Sequence, residues 1–448
     1  MKPVHLFLLL TLAPPILPAA AQRPESPLDR VVAEALRNNL ELAQQAQTVR
    51  GATAAVREAR ARFLPSITLD ARYSEQRDVL ELGDVVNPAY AALNQLVGEP
   101  RFPTNLQLSL PFAHETRARL LQPVFNPAIA AGYSQSRHTR EASDLQRRAL
   151  SRRIAAEAQS ALLDVAAARG ARRTWEATLV LVTENERVAT RLAAAGRATP
   201  DVVFRARADR SDVEQRLAEA ADQEDAAART LNRLLRRPLD TAVEELPDSL
   251  VRFDITLTES DAIAAALVRR EELGQASAGI RAATAGVRAA NAAFLPSLSI
   301  ALDYGFQGSE PRFGGAHDFA AASVVLSFNV LNGGGDVARR QRARSDVERA
   351  RLRLAELEDL VRLDVSRAFR AALVARAAIA TAETRLEAAT RSFTLVRRRY
   401  EEGLASQVEF LDARTTLTNA ELNRVVTSYR YAQRYVDLER AAALRSID

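Results

Sequence analysis

The segment FLPSITLDARY occupies residues 63–73, and FLPSLSIALDY occupies residues 294–304. In both copies the proline disfavours the helical conformation at the residue before it, so the preceding helical pattern is expected to end there. Beyond the proline, apolar and polar residues alternate, which is typical of a β-strand with one apolar and one polar face. The chain therefore predicts the same transition, from helix to amphipathic strand, at two places.

These copies belong to a longer internal repeat. They lie 231 positions apart, from residue 63 to residue 294, and upstream of them AAVREA at 54–59 falls on AGVRAA at 285–290. A second pair of stretches also matches, LAAAGRATPDVVFRAR at 192–207 and YEEGLASQVEFLDAR at 400–414. Self-similarity of this kind predicts a tandem duplication.

Each half is predicted to run helix, strand, strand, long helix, turn, helix. The first repeat is predicted at 22–237, the second at 259–448, and an irregular segment at 238–258 joins them. The expected elements are strands near 66–75 and 104–125 with helices at 128–195 and 199–236, then strands near 297–307 and 318–329 with helices at 336–402 and 406–445. Within 104–125 the strand position stays open, because NLQLSLPF at 105–112 alternates well whereas ARLLQPVFN at 118–126 aligns better with the strand end.

The two longest helices, of roughly 65 residues, would each extend about 100 Å at ~1.5 Å per residue. Along the second of them, small or branched apolar side chains recur every seven residues: Val347, Leu354, Val361, Ala368, Ala375, Ala382, Ala389 and Val396. Such a heptad predicts a coiled-coil seam in which alanines let neighbouring helices approach closely. We interpret it as structural, not as a cofactor site.

The turns after these long helices carry specific end signals. Gly196 suits the left-handed position that follows a helix, with Thr199 expected to cap the next helix and Pro200 at its first position. In the second copy Gly403 ends the helix, and Ser406 with Glu409 forms the S-x-x-E pattern of a capping box. Both segments therefore predict tight helical hairpins.

The N-terminus predicts export from the cytoplasm. Lys2 precedes an apolar run at 6–17, and Ala19 and Ala21 have the spacing of a signal-peptidase site, so residues 1–21 are predicted to be a secretory signal. The run is shorter than the ~20 residues that a membrane-spanning helix needs. The chain has no cysteine, which excludes disulfides, cysteine-based metal sites and a lipid anchor on an N-terminal cysteine.

Charge and motif content argue against nucleic-acid binding and catalysis. The 61 basic side chains nearly balance 56 acidic ones, leaving a net charge of +5 with no basic block, so no nucleic-acid partner is expected. The four histidines are scattered, and no nucleophile-elbow, zinc-protease or phosphate-loop signature occurs. We therefore expect no enzyme, no catalytic, cofactor-binding or metal site, and no cofactor.

Four amphipathic strands of about ten residues suit a transmembrane β-barrel in length and pattern. A small soluble sheet packed on helices has the same periodicity, so this alternative stays open. One chain supplies fewer than the eight strands that the smallest such barrels use, which favours an oligomer that pools strands from several chains.

Four features in order resemble the TolC-like outer-membrane efflux protein family. They are the duplicated layout, FLPS before each first strand, FNVLNGGG at 328–335 before the last long helix, and the paired hairpin sequences. The resemblance implies a mainly α fold with a transmembrane β-barrel portion, in which a homotrimer forms a twelve-stranded barrel, four strands per chain, and a long α-helical barrel. It also implies location in the outer membrane with the helical part in the periplasm, contact with outer-membrane lipid, and two partners, a periplasmic adaptor (membrane fusion protein) and an inner-membrane transporter.

The resemblance also supplies candidate site residues. The adaptor-docking tips would be Gly196, Arg197, Ala198 and Thr199 in the first hairpin and Gly403, Leu404, Ala405 and Ser406 in the second. Candidate charges at a closed periplasmic entrance are Asp201, Glu401, Glu402 and Asp412. Two stretches depart from the family pattern: a long loop is expected at 75–103, and FNPAIAAG at 125–132 stands where the second half has its glycine run.

The function implied is a passive, gated exit duct of a tripartite efflux pump, opened by the adaptor. The outer-membrane duct of type I protein secretion is an alternative, because in either case the partner transporter selects the cargo. A periplasmic structural coiled coil, or the adaptor itself, would account for the helices but not for four amphipathic strands.

Overall fold

A computed structural model describes residues 26–75, 82–106, 114–247, 253–308 and 317–446. The predicted signal at 1–21 lies outside these residues, as does most of the alternating stretch at 105–112. In chain order the elements are α1 (Pro27–Asn38), α2 (Leu40–Ala61), β1 (Ser66–Tyr73), α3 (Leu82–Val97), β2 (His114–Phe125), α4 (Pro127–Ala194), α5 (Pro200–Leu235), α6 (Glu259–Arg269), α7 (Glu271–Asn291), β3 (Ser297–Gly308), β4 (Asp318–Ser327), α8 (Gly335–Glu401) and α9 (Gln407–Ala441).

The four strands form one antiparallel sheet in the order β1-β2-β3-β4. In register, Leu69 lies opposite Ala118, which lies opposite Tyr304, and Tyr304 lies opposite Ala320. Because side chains alternate between faces, this row and the residues two, four and six positions away from it along each strand form one largely apolar face. The opposite face carries the charged residues of β1, β2 and β3, so the predicted alternation holds most clearly in β1 and β3.

One helix occupies a stretch that the sequence predicted as loop. Residues 75–103 contain α3, and Pro88 lies inside it. The Asn87 side chain donates to the carbonyl of Leu106 (3.0 Å) and accepts from its amide (2.9 Å). Asn94 makes the same pair of bonds with the backbone of Phe102. These contacts tie α3 to the returning chain.

The chain divides into two compact units. The first contains 1–39, 152–258 and 367–440, and the second contains 40–151, 259–366 and 441–448. In the first, side chains hold the backbone of the segment between the repeats: Nδ2 of Asn232 donates to the carbonyls of Leu239 (3.0 Å) and Thr241 (2.7 Å), and the Tyr431 hydroxyl donates to the carbonyl of Phe253 (2.5 Å). Hydrogen bonds from these side chains therefore satisfy the backbone carbonyls of Leu239, Thr241 and Phe253 in the described part of the segment.

The predicted heptad seam of α8 points inward. Val347, Val361, Ala375, Ala382 and Ala389 are buried, and the other three heptad positions are half-buried. Small side chains at these positions allow the close helix packing expected of a coiled-coil seam.

Within the described residues, no helix is sufficiently long and apolar to cross a membrane.

Candidate functional site

The first hairpin joins α4 to α5 through a turn built on Gly196. This glycine has φ +70°, and its amide donates to the carbonyl of Ala193 (3.0 Å) while that of Arg197 donates to Leu192 (2.8 Å). These two bonds form a Schellman motif, which satisfies the last carbonyls of the helix and needs a residue that tolerates positive φ. Gly196 and Arg197 are exposed.

Thr199 lies at the N-cap of α5 with an extended backbone, but the side-chain cap predicted for it is wrong. Its hydroxyl donates instead to the carboxylate of Asp201. Pro200 occupies the first helical position as expected, where its missing amide costs nothing.

The second hairpin, between α8 and α9, has the same kind of turn, and here the N-terminus of the following helix is also capped by side chains. Gly403 has φ +74°, and the amide of Leu404 donates to the carbonyl of Arg399 (2.7 Å). The predicted capping box is present, because the Ser406 amide donates to Glu409 (2.7 Å) and the Glu409 amide donates to the Ser406 hydroxyl (3.2 Å). Hydrogen bonds from the Ser406 backbone and hydroxyl hold the pKa of Glu409 below its usual range.

The two hairpins lie side by side in the first unit. The side chain of Gln407 donates to the carbonyl of Val202 across them (3.0 Å). Beneath the second turn, the rings of Tyr400 and Phe410 stack at 4.8 Å, and Phe393 packs on the same Phe410 at 5.7 Å. Burial raises the pKa of the Tyr400 hydroxyl. The sequence-predicted tip residues are thus brought together on a packed base, and Leu404 projects from it with 66% of its surface exposed.

The four candidate entrance carboxylates are all exposed at or near the hairpins. Asp201 lies 3.6 Å from Arg205, and Glu401 lies 3.7 Å from Arg397, each one turn away on the same helix. In the described part of the chain, no ion pair links one hairpin's candidates to the other's. Exposed pairs of this kind contribute little to stability.

A buried ion pair near the tips was not found from the sequence. Nη2 of Arg414 on α9 donates to Oδ1 of Asp209 on α5 at 2.6 Å, with only 7% and 16% of the two side chains exposed. Burial raises the pKa of Asp209, and the charge of Arg414 opposes this shift. The other carboxylate oxygen and Nε of Arg414 make no hydrogen bond with the described residues. The pair joins residues 205 positions apart, a separation that no local pattern reveals.

The polar face of the sheet in the second unit carries a charged network. Arg119 binds Asp303 through two bonds, Nε to Oδ1 at 2.7 Å and Nη2 to Oδ2 at 3.1 Å. Arg117 lies 3.8 Å from the same Asp303 and 3.5 Å from Glu115, which Arg72 approaches to 3.1 Å. These charges link three strands on the face opposite the exposed apolar side chains, which is where water is expected if the sheet borders lipid.

Nothing in the described residues forms a metal centre, since no three His, Asp or Glu side chains are arranged to hold an ion.

The chain matches a family and several solved structures. The model of the family described as "Outer membrane efflux protein" matches residues 31–236 and 262–444. A membrane protein from Pseudomonas aeruginosa is similar at 21% identity over 96% of both chains, with TM-score 0.76. The Vibrio cholerae outer membrane protein VceC is 18% identical over 93% of this chain and 95% of its own, with TM-score 0.75. The Campylobacter jejuni CmeC outer membrane channel is 17% identical over 95% of this chain and 90% of its own, with TM-score 0.76. No curated protein sequence matches the chain.

Proposed function

Because the chain belongs to the outer membrane efflux protein family, we propose that it is the outer-membrane exit duct of a tripartite efflux pump. The protein is an outer-membrane transport protein with a periplasmic helical part, not an enzyme. The predicted fold class, a duplicated and mainly α-helical protomer with a β-barrel portion, is confirmed. The proposal adds the assembly, the partners and the gating.

The observation that carries the proposal is the uncovered apolar face of the sheet. Ile67, Leu69, Val324 and Leu326 expose between 68% and 74% of their surface. Large apolar side chains exposed this far on one face of a sheet mark a surface that contacts something apolar. In an outer-membrane protein the apolar contact is outer-membrane lipid, and the charged face opposite would then line a water-filled lumen.

Strand number calls for an oligomer, and the resemblance to the family implies that this oligomer is a homotrimer. The sheet has two free edges, β1 and β4, and a transmembrane sheet must close on itself because lipid satisfies no backbone hydrogen bond. Four strands are too few for a barrel, whereas three chains supply twelve. The experiment is the native mass of detergent-extracted protein from separated outer membranes, where about three times the mass of the mature chain is expected, which is the 49.0 kDa of the full chain less the predicted signal. A monomer in the soluble fraction would overturn the proposal that the protein is an outer-membrane duct.

The hairpin tips are the proposed docking surface for the periplasmic adaptor. Support comes from their geometry: Gly196, Arg197, Gly403 and Leu404 are exposed while the base beneath the second turn is packed. The adaptor would open the periplasmic end only by binding the open arrangement more tightly than the closed one. The inner-membrane transporter supplies the energy, and the duct itself is passive.

Leu404→Glu tests the docking surface. The new charge should abolish complementation of drug export in cells that lack their own duct, because it lies on an exposed tip where an apolar contact is proposed. Leu404→Met is the matched control, since it keeps the apolar surface. Unchanged export by a trimeric Leu404→Glu protein would refute the assignment of the tips.

The family's description favours efflux over type I protein secretion. Restored drug resistance in such cells, without restored secretion of an exported protein, is the expected result, and the reverse would favour the secretion duct.

A further inference from the structure

The internal repeat is preserved in the contacts of the second unit, not only in its sequence. Moving 231 positions along the chain takes Leu42 of α2 to Leu273 of α7, and both are buried. Phe63 packs edge-on against Tyr133 at 5.9 Å, and its counterpart Phe294 lies under Arg340 at 4.8 Å. The step from residue 133 to residue 340 is 207 positions. Two shifts therefore relate the halves: 231 from α2 to α7, and 207 from α4 to α8.

Among the described residues, one helix contact between the two halves of the repeat has no counterpart within the same chain. Helix α4 packs on α7, where Nη2 of Arg281 donates to Glu141 at 2.7 Å. A Cβ placed on Gly274 would lie 3.3 Å from a methyl group of Leu145, which shows how closely the two helices approach there. Ala278 and Ala285 of α7 are completely buried.

Applying the two shifts to this contact gives a second pair of surfaces. Arg281 corresponds to Arg50 of α2, and Glu141 corresponds to Glu348 of α8. Likewise Gly274 corresponds to Ala43, and Leu145 corresponds to Leu352.

All four shifted residues are exposed, and Leu352 shows 72% of its surface. On α2, Gln47 and Ala54 are exposed although they correspond to the two fully buried alanines of α7. Helix α4 therefore covers this face of α7, whereas the corresponding face of α2 is left uncovered within the chain.

We propose that α2 of one chain packs against α8 of a second copy of the chain, reproducing the α4–α7 contact. Arg50 meets Glu348 of the second copy, and Ala43 receives Leu352. This inference rests on the trimer of the proposed function and specifies its lateral interface. Since the two surfaces differ, each contact leaves one α2 and one α8 unused until a ring closes, which is the geometry of a head-to-tail cyclic oligomer.

Shifting the strand pairs in the same way predicts which residues of β4 in one copy pair with residues of β1 in the next copy; we call this strand pairing the seam between copies. Leu69 pairs with Ala118 and Ile300 pairs with Val324, so β2 and β4 are related by 206 positions. The β2–β3 pair of Ala118 with Tyr304 then becomes Val324 opposite Tyr73 of the next copy.

The ion pair between Arg119 and Asp303 becomes Val325 opposite Arg72 at the seam. The seam therefore keeps the helix ion pair but lacks the strand ion pair that the chain has internally.

Cysteine pairs test this register in a chain that has no cysteine of its own. Ala43→Cys with Leu352→Cys, oxidised in isolated outer membranes, should give covalent dimers and trimers on a non-reducing gel. Gly274→Cys with Leu145→Cys is the matched intrachain control and should lose free thiols without any gain in mass. Ala43→Cys with Ala338→Cys is the off-register control, because its α8 position lies 14 residues away, about 21 Å along the helix.

The possible outcomes distinguish a wrong α2–α8 contact from a wrong trimer. A trimeric native mass with no interchain bond from the Ala43 and Leu352 positions, while the intrachain control oxidises, would overturn the proposed interface and leave the trimer standing. A monomeric native mass would instead overturn the assembly. As a second measurement, Arg50→Glu should weaken the trimer in detergent, and Glu348→Arg in the same chain should restore it. Failure of this exchange to restore the trimer would also count against the contact.

Discussion

Replacing Arg414 by leucine should loosen the helices just beneath the hairpin tips. The guanidinium lies 2.6 Å from Asp209, and its side chain is only 7% exposed. Removing one partner of a buried ion pair leaves the other charge without compensation, which typically costs about 3–5 kcal/mol. At about 1.4 kcal/mol per factor of ten, amide hydrogen exchange in the neighbouring turns of α5 and α9 should become more than 100-fold faster at pH 7.

This loss should depend on pH in a defined direction. Burial raises the pKa of Asp209, and in the variant Arg414 no longer opposes that shift. A group whose pKa is raised on folding stabilises the fold at low pH, and this contribution disappears as the pH rises through the folded-state pKa. The defect should therefore shrink as the pH is lowered from 7 towards 4, once intrinsic exchange rates have been divided out.

Two controls make the measurement decisive. Asp209→Asn combined with Arg414→Leu removes the isolated charge, so it should recover much of the protection and lose the pH dependence. Arg216→Leu breaks an exposed pair with Asp212, with 51% of the arginine side chain exposed, and should change exchange by less than tenfold. If Arg414→Leu exchanges no faster than Arg216→Leu, the buried pair does not hold these helices together.

Three glycine substitutions give further tests. Gly403→Ala should lower the thermal midpoint, because φ is +74° and the left-handed conformation costs alanine about 1–2 kcal/mol; Gly51→Ala in α2 should raise it, since nothing lies within 4 Å of the added methyl group and Ala282 occupies the corresponding place in α7. Shifts of the same sign in scanning calorimetry would contradict this account. Gly305→Ala should reduce the amount of trimer in the outer membrane, because its Cβ would lie 2.3 Å from the carbonyl oxygen of Thr116, and wild-type trimer yield would show that the strands are not so close.

Sequence reasoning succeeded where a short segment dictates its own conformation. The prolines at 65 and 296 end helices before strands, and the glycines at 196 and 403 fix the hairpin turns. It failed at the side chain of Thr199, whose hydroxyl donates to Asp201 instead of capping α5, and at residues 75–103, where a long loop was expected and the structure has α3. In both cases a nearby side chain offered a hydrogen bond that pattern reasoning does not count. The docking role of the tips and the entrance role of the carboxylates stay predictions.

The sequence by itself determined the duplicated protomer, because helix ends, alternation and turns depend on neighbours within a few residues. Only the tertiary structure decided which distant side chains meet. Arg414 finds Asp209 across 205 positions, and Arg119 finds Asp303 across 184. Such pairs depend on how long helices and strands are aligned, and an axial slip of one residue changes every partner along them. The free α2 and α8 surfaces likewise became visible only when one half of the repeat could be compared with the other in three dimensions.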